Sequence, residues 1–532
     1  MLSSVFCLNE ARCTAGAFRC AEGSVGKLGM VNFLSIDQGC WSKEGLHEEC
    51  GVFGIYGDDS IAPAYACYNG LLALQHRGQE SCGISVNDRG VISGHKNMGL
   101  VSEVFDNSTL DSLTGQMAIS HVRYSTAGGS VRENSQPLVM RYVKGTLAIA
   151  HNGNLTNAYE IRRELEHRGA IFQTTIDSEA IAYLIARERI KAHSVEEAVE
   201  KTMRQIEGAY SLLVMSPKKL IAARDPHGFR PLCMGRIGRS VVFASESCAL
   251  AACGAEFVRD VEPGEIIVVD EKGLRSIKTN SPSAGRKSLC VFEYIYFART
   301  DSEIDGISVY ESRKEAGRIL AREHPVPADI VIGVPESGID AAIGYSEESG
   351  IPYEKGIVKN GYIGRTFIKP TQKERASSVK LKLNPLSSVL KDKRVVVIDD
   401  SIVRGTTCDR IVKMLRNAGA KEVHLRISSP PFIWPCFYGT DIPSRDELIA
   451  VRHTIDEICQ LTGADTLGFL PPDKLCDMLG GHCTGFCDAC FSGKYPTKIP
   501  EKMLAGKERG GVDFDKKLPL PKPDAACSGT ES

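Results

Sequence analysis

Residues 395–407 read VVVIDDSIVRGTT, and the fold of the second half of the chain turns on them. Four aliphatic, mostly β-branched residues, Val395, Val396, Val397 and Ile398, run into the adjacent carboxylates Asp399 and Asp400. Ser401 and then Gly405, Thr406 and Thr407 follow, ahead of a helical pattern, CDRIVKMLRNAGA. A short apolar run before a glycine turn and a helix predicts a buried parallel strand, a loop and a crossover helix. In an open parallel sheet, ligands sit at the carboxyl ends of the strands. The turn aims backbone N–H groups at whatever binds there, and a helix N-terminus favours an anion. Two carboxylates beside such a cradle suit a phosphate-bearing polyol, because they can accept from a ribose diol or hold Mg²⁺ through water. For a bare DD followed by glycine, a charged strand end at a sheet edge is the better reading. The full strand–DDS–x–x–x–GTT–helix string is far more specific.

That string resembles the phosphoribosyl pyrophosphate (PRPP) loop of type I phosphoribosyltransferases. The resemblance implies a doubly wound α/β parallel sheet, with Asp399, Asp400, Ser401, Arg404, Gly405, Thr406 and Thr407 on PRPP and Mg²⁺ at Asp399 and Asp400. Residues 329–338, DIVIGVPESG, resemble the pyrophosphate loop of the same enzymes and put Ser337 near the metal. Residues 359–375, KNGYIGRTFIKPTQKER, carry Lys359, Arg365, Lys369, Lys373 and Arg375 among glycines and a proline. On composition alone this is a solvated basic loop. With two phosphate loops around it, it reads as a lid that closes over pyrophosphate and excludes water, with Lys359 and Arg365 on PRPP.

The remainder of the chain sets limits. At 532 residues it holds two large domains plus tails. A net charge of −2 offers no basic field for nucleic acid or a membrane surface, and no apolar run is of spanning length. Nineteen cysteines without a small-domain framework or a secretory signal point to a reducing, cytoplasmic setting and to thiols used for chemistry or metal. Residues 1–49 hold Arg12, Arg19 and Lys27 but also Glu10 and Glu22, a poor match to an acid-free transit peptide. They read as an extension outside the fold, within which Met30 is an alternative start. Residues 280–287 read as a linker, and 500–532 as a loosely docked or disordered tail.

Organisation begins at residues 49–55, ECGVFGI. Taken singly, Cys50 is a buried cysteine opening a strand. Its company is LQHRGQE at 74–80, HVRYST at 121–126, HNGN at 151–154 and TIDSE at 175–179. The set resembles the N-terminal-nucleophile glutamine amidotransferases. It implies an α+β sandwich of two mostly antiparallel sheets between helical layers, and removal of residues 1–49 as a propeptide. A thiol near pKa ~8.5 is a weak nucleophile at neutral pH, and an α-amine near ~7.7–8.0 can serve as its base. Cleavage before Cys50 creates that amine beside its own thiol. On the resemblance, Asn152 and Gly153 supply the oxyanion donors, Arg123 forks onto the glutamine α-carboxylate and Asp177 takes the α-ammonium. His76, His121 and His151 read as structural hydrogen-bonders, and the turn DPHGFRPL at 225–232 as framework.

Cys290 lies in CVFEYIYFAR (290–299), whose alternating aromatics predict a packed strand; Tyr294 or Tyr296 would wall an ammonia path there. Cys436 sits in PPFIWPCFYG (430–439), and Cys487-x-x-Cys490 in HCTGFCDACFSGKYPT (482–497). From spacing alone the four suit a structural Zn²⁺ or an iron–sulfur cluster equally, and Cys476 or Cys483 lies near enough to replace a ligand. These motifs resemble the iron–sulfur branch of the glutamine PRPP amidotransferase family, which makes Cys290, Cys436, Cys487 and Cys490 ligands of a [4Fe-4S] cluster. The implied organisation is a propeptide 1–49, a glutaminase domain 50–281, a phosphoribosyltransferase domain 288–470, a cluster-binding segment 471–499 and a tail 500–532. The implied activity joins glutamine, PRPP and water to give 5-phosphoribosylamine, glutamate and pyrophosphate, the first step of de novo purine synthesis. The family adds inhibition by purine nucleotides and a homotetramer. Two rivals are a PRPP- or redox-sensing homologue without activity and an amidotransferase of another acceptor type. The strand–DDSIVRGTT–helix unit argues against the second.

Overall fold

Strand Arg394–Asp399 is buried on both faces, and its residues divide cleanly between them. Val396 and Ile398 pack with Ile319, Leu320, Ala341 and Tyr345 of the helices Val309–Glu323 and Gly338–Ser349. Val395 and Val397 pack with Ile411, Val412, Leu415 and Ile458 of the helices Thr406–Asn417 and Ile455–Thr462. A strand covered twice has no reason to alternate polar and apolar residues, which is why it reads as a continuous β-branched run. In this computed structural model the described residues are 50–57, 61–124, 129–279, 287–360, 383–440, 442, 444–482, 485–501 and 503–504. They fall in one compact unit, residues 44–532. Among them the parallel sheet runs Ile330–Gly333, Arg394–Asp399, Glu422–Ile427, Thr466–Phe469 in order, every pair parallel.

The first half is an antiparallel sandwich. Among the described residues, one sheet of seven strands is centred on Gly51–Tyr56 and Met117–Arg123, and one of six on Leu220–Arg224 and Ser211–Met215, with Gly145–Asn152 beside the latter. Alternation along Gly51–Tyr56 shows how the layers form. Val52 enters the core between the sheets with Ile119, Ala150 and Leu213. Phe53 and Ile55 face outward onto Leu71 and Cys67 of helix Pro63–Ala73. On the far sheet, Leu212 and Val214 pack under the helices Asp177–Lys191 and Val195–Met203. Four layers result: helix, sheet, sheet, helix.

One prediction of local structure fails. The aromatic run after Cys290 is not a strand. Leu289–Cys290 makes a two-residue parallel ladder with Phe486–Cys487, and Glu293–Phe297 then winds into a π-helical turn. Arg313 braces this turn: its guanidinium donates to the carbonyls of Tyr294, Tyr296 and Ala298 at 2.9, 3.1 and 2.7 Å.

Candidate functional site

In the sandwich half the ends of two facing strands build the site. Gly51 pairs with Val122, so Cys50 stands at the end of that ladder opposite Arg123. The Cys50 thiol donates to the Tyr124 carbonyl at 3.5 Å, and its own carbonyl accepts from Arg77 Nε at 3.1 Å. Asn152 ends strand Gly145–Asn152 in the other sheet. Its side-chain amide is buried, and neither the nitrogen nor the oxygen has a hydrogen-bond partner among the described residues. Leaving such a group unsatisfied costs roughly 1–3 kcal/mol, so the amide is aimed at something that binds. Gly153 follows at φ +134°, and a Cβ there would lie 2.1 Å from the Ala209 carbonyl oxygen. Only glycine lets the chain turn at this point and present its N–H.

Arg123 is buried and pairs with Glu80, from the end of LQHRGQE. Asp177 opens helix Asp177–Lys191 and accepts from the Leu155 N–H at 2.9 Å. Burial alone would raise its carboxyl. The charge and hydrogen bond of His151, with the N–H groups of Leu155 and Ser178, outweigh burial and hold it below its ordinary range. The imidazoles are all engaged: His76 Nε2 lies 2.8 Å from Glu246, His121 Nε2 3.0 Å from the His151 carbonyl, and His151 Nδ1 3.0 Å from Ser178 Oγ. Burial pushes His121 down to about 3, so it is neutral across physiological pH.

In the second half, helices Gly338–Ser349 and Thr406–Asn417 begin at the carboxyl ends of neighbouring parallel strands. Gly405 caps the second at φ +82°, where a Cβ would strike Ile449 Cδ1 at 2.6 Å. The two loops are joined by side chains, since Asp400 accepts from both Ser337 and Ser401. Asp399 accepts from the Asp400 N–H at 3.0 Å and from the Cys408 thiol at 3.7 Å. Burial first, and then the neighbouring charge of Asp400, raises the Asp399 carboxyl; burial raises Asp400 as well, against the serines and Arg313. A crowded pair of carboxylates of this kind fits a cation. Arg404 is held by Glu447 at 2.7 Å, and Lys359 lies 3.6 Å from Glu336 of the loop after strand Ile330–Gly333. Arg365, with Lys369, Lys373 and Arg375, lies outside the described residues, as do residues 1–49, the linker at 280–286, Cys483 and the tail from 505.

The four cysteines are buried, and none is disulfide-bonded. Cys290 stands opposite Cys487 on the short parallel ladder. Burial raises the Cys490 thiol well above its ordinary value, and Cys290, Cys436 and Cys487 add to the effect. Even so, no three His, Cys, Asp or Glu side chains among the described residues form a group that could hold a metal ion. A mononuclear zinc centre needs sulfurs at ~2.3 Å from one ion, so this arrangement does not provide one. Cys476 is disulfide-bonded and is not a thiol ligand here.

Glu80, Glu447 and Cys408 were not singled out from the sequence. Glu80 sat in plain view inside a quoted motif; for the other two, no local signal marks the contact.

Comparison with known proteins follows the same division. A glutamine amidotransferase domain model matches residues 121–252, and a phosphoribosyl transferase domain model matches 313–428. An amidophosphoribosyltransferase of Methanocaldococcus jannaschii is 51% identical over 472 residues, covering 86% of this chain and 100% of that one. One from Bacillus subtilis is 50% identical, covering 86% and 96%. A chloroplastic one from Arabidopsis thaliana is 50% identical, covering 88% and 81%. Among solved structures, the B. subtilis glutamine PRPP amidotransferase complexed with ADP and GMP matches with a TM-score of 0.79 at 48% identity, covering 85% of this chain and 98% of that one.

Proposed function

The chain belongs to the amidophosphoribosyltransferase family, and on that premise we propose how its residues divide the work. It is an enzyme that converts PRPP, glutamine and water to 5-phosphoribosylamine, glutamate and pyrophosphate, the first step of de novo purine synthesis.

Cys50 is the nucleophile, freed by removal of residues 1–49, and its new α-amine takes the thiol proton. The thiolate attacks the glutamine side-chain carbonyl. The carbon–nitrogen bond breaks, ammonia leaves, and water hydrolyses the thioester to glutamate. The orphan amide of Asn152 and the Gly153 N–H stabilise the oxyanion, and this is the observation that carries the assignment. Arg123, steadied by Glu80, takes the α-carboxylate, and Asp177, held ionised, takes the α-ammonium. Tyr296 supports a path between the sites. Its phenol is pushed up first by burial and then by the charges of Asp400 and Asp399, with Tyr124 also within range. Tyr294 instead donates to the Ile304 carbonyl at 2.8 Å, so Tyr296 is the better wall residue.

At the second site, ammonia bonds to C1 of the sugar as the bond to pyrophosphate breaks. Asp399, Asp400, Ser401, Gly405, Thr406 and Thr407 cradle the phosphorylated ribose, while Arg404, Lys359 and Arg365 meet its charge. Asp399 and Asp400, with Ser337, are the residues that would hold Mg²⁺, whose role is to balance the pyrophosphate charge. Cys290, Cys436, Cys487 and Cys490 would hold a [4Fe-4S] cluster. Support comes from four buried thiols, none in a disulfide, two of which, Cys290 and Cys487, stand opposite each other on one ladder. Held by these residues, a cluster would pin segment 471–499 across domains 50–281 and 288–470. A cytoplasmic homotetramer inhibited by purine nucleotides completes the reading, in keeping with the ADP and GMP of the B. subtilis structure. No helix among the described residues is long and apolar enough to cross a membrane.

Intact mass of the purified active enzyme, with its iron and acid-labile sulfide content, tests processing and cluster together. The expected mass begins at Cys50 with four iron per chain. A retained leader at full glutamine turnover, or active protein without iron, refutes the corresponding part.

A further inference from the structure

Behind Cys50 lies a buried ion network that the chemistry above leaves unassigned. Besides holding the Cys50 carbonyl, Arg77 forks onto Glu293 with Nη1 and Nη2 at 3.0 and 2.7 Å, and its Nη1 reaches Glu246 at 2.5 Å. Glu293 also faces Arg230 Nη1 at 3.4 Å, and Arg230 continues to the Tyr438 carbonyl at 2.7 Å. Arg77, Arg230, Glu246 and Glu293 are all at most 1% exposed. Burying so many charges is a poor route to stability, since well-packed apolar residues of the same volume usually do as well or better. What such a cluster does supply is fixed geometry.

The location of Glu293 says which geometry. It opens the turn Glu293–Phe297, whose carbonyls Arg313 collects. Arg313 lies 3.8 Å from Asp340, in the first turn of the helix that follows the pyrophosphate loop, and its charge is felt at Asp400. The first residue of this turn therefore reaches the backbone of the thiol residue through Arg77, and Arg313, bonded along the turn, faces Asp340 of the helix beside residues 399–407.

We infer that Glu293 is a positioning residue for Cys50. Through Arg77 it fixes the backbone that carries the thiol, and through its turn it transmits occupancy of the PRPP site to the glutaminase site. This rests on Cys50 being the nucleophile and on residues 399–407 binding PRPP.

The test uses the full chain with Glu293→Gln and Glu293→Asp, measuring synthesis from glutamine, synthesis from ammonia, and stimulation of glutamine hydrolysis by PRPP. For Glu293→Gln the expected kcat/KM with glutamine falls roughly tenfold or more, PRPP stimulation disappears, and ammonia-dependent synthesis stays within roughly twofold. Glu293→Asp, which keeps the charge, recovers part of the stimulation. Intact PRPP stimulation in Glu293→Gln overturns the inference, and so does a parallel fall with both nitrogen sources. If Glu293→Gln does not fold, Glu293→Asp decides: weakened stimulation with unchanged ammonia use supports the inference, and unchanged stimulation overturns it. A Cys50→Ala control that still consumes glutamine would instead locate the failure in the nucleophile assignment.

Discussion

The two sites of this enzyme are built on opposite electrostatic plans. In the sandwich half, charges are balanced before any ligand arrives: Arg123 has Glu80, Asp177 has His151 and two backbone N–H groups, and Arg77 has Glu246 and Glu293. The exception is the Asn152 amide, buried without a partner among the described residues and proposed to meet the negative charge that develops in acyl transfer. In the parallel-sheet half, Asp399 and Asp400 crowd each other and are offered hydroxyls, a thiol and a backbone N–H. On the proposed assignment, the first site is balanced in advance, and the second would reach electrostatic balance with a cation and the pyrophosphate of its substrate. Such a contrast suits an enzyme that must not release ammonia before the acceptor is in place.

Three experiments sharpen or break that contrast, in descending size of effect. Asn152→Ala is expected to lower glutamine-dependent kcat by ~10²–10³-fold while sparing ammonia-dependent synthesis. A loss of both activities would mean that the amide serves the fold rather than the oxyanion. Asp400→Ala is expected to depress synthesis from either nitrogen source about a hundredfold, the kinetic equivalent of ~3 kcal/mol of charge-assisted binding. Steady-state assays with glutamine and with ammonium check it, and an effect confined to glutamine would misplace the residue.

The third is a stability effect with a defined sign. Burial and Asp400 raise the Asp399 pKa in the folded state above the ~3.9 of an unfolded carboxylate. Between those two values the folded state holds the proton and the unfolded state does not, so stability is present at low pH and falls as pH rises through the window. Asp399→Asn removes the titration. Its Tm should exceed that of the wild type at pH 7–8, by ~2–4 °C for each 1 kcal/mol relieved, and the gap should close on acidification. Calorimetry of the ligand-free proteins measures this, and an equal or lower Tm at pH 8 contradicts the crowding described here.

Much of this was legible in the sequence because its signals are local. The strand at 394–399 announces itself through a β-branched run, and Gly405 and Gly153 through the turns they permit. Cys50, Asn152 and Asp177 sit within short motifs, so they can be proposed without the fold. The joint segment misled for a physical reason: its aromatics alternate as in a strand, while Arg313, which holds its carbonyls, lies in the separate helix Val309–Glu323. The ion network was out of reach altogether. Arg77 meets Glu246 and Glu293 across 169 and 216 residues, and no spacing rule links partners so far apart.

The most direct measurement compares the Cys50→Ala enzyme supplied with glutamine and with ammonium, following 5-phosphoribosylamine formation at saturating PRPP. Nitrogen released at the sandwich site and consumed at the parallel sheet predicts no product from glutamine and near wild-type product from ammonium. Product from glutamine at the wild-type rate would contradict the division of labour between the two sites.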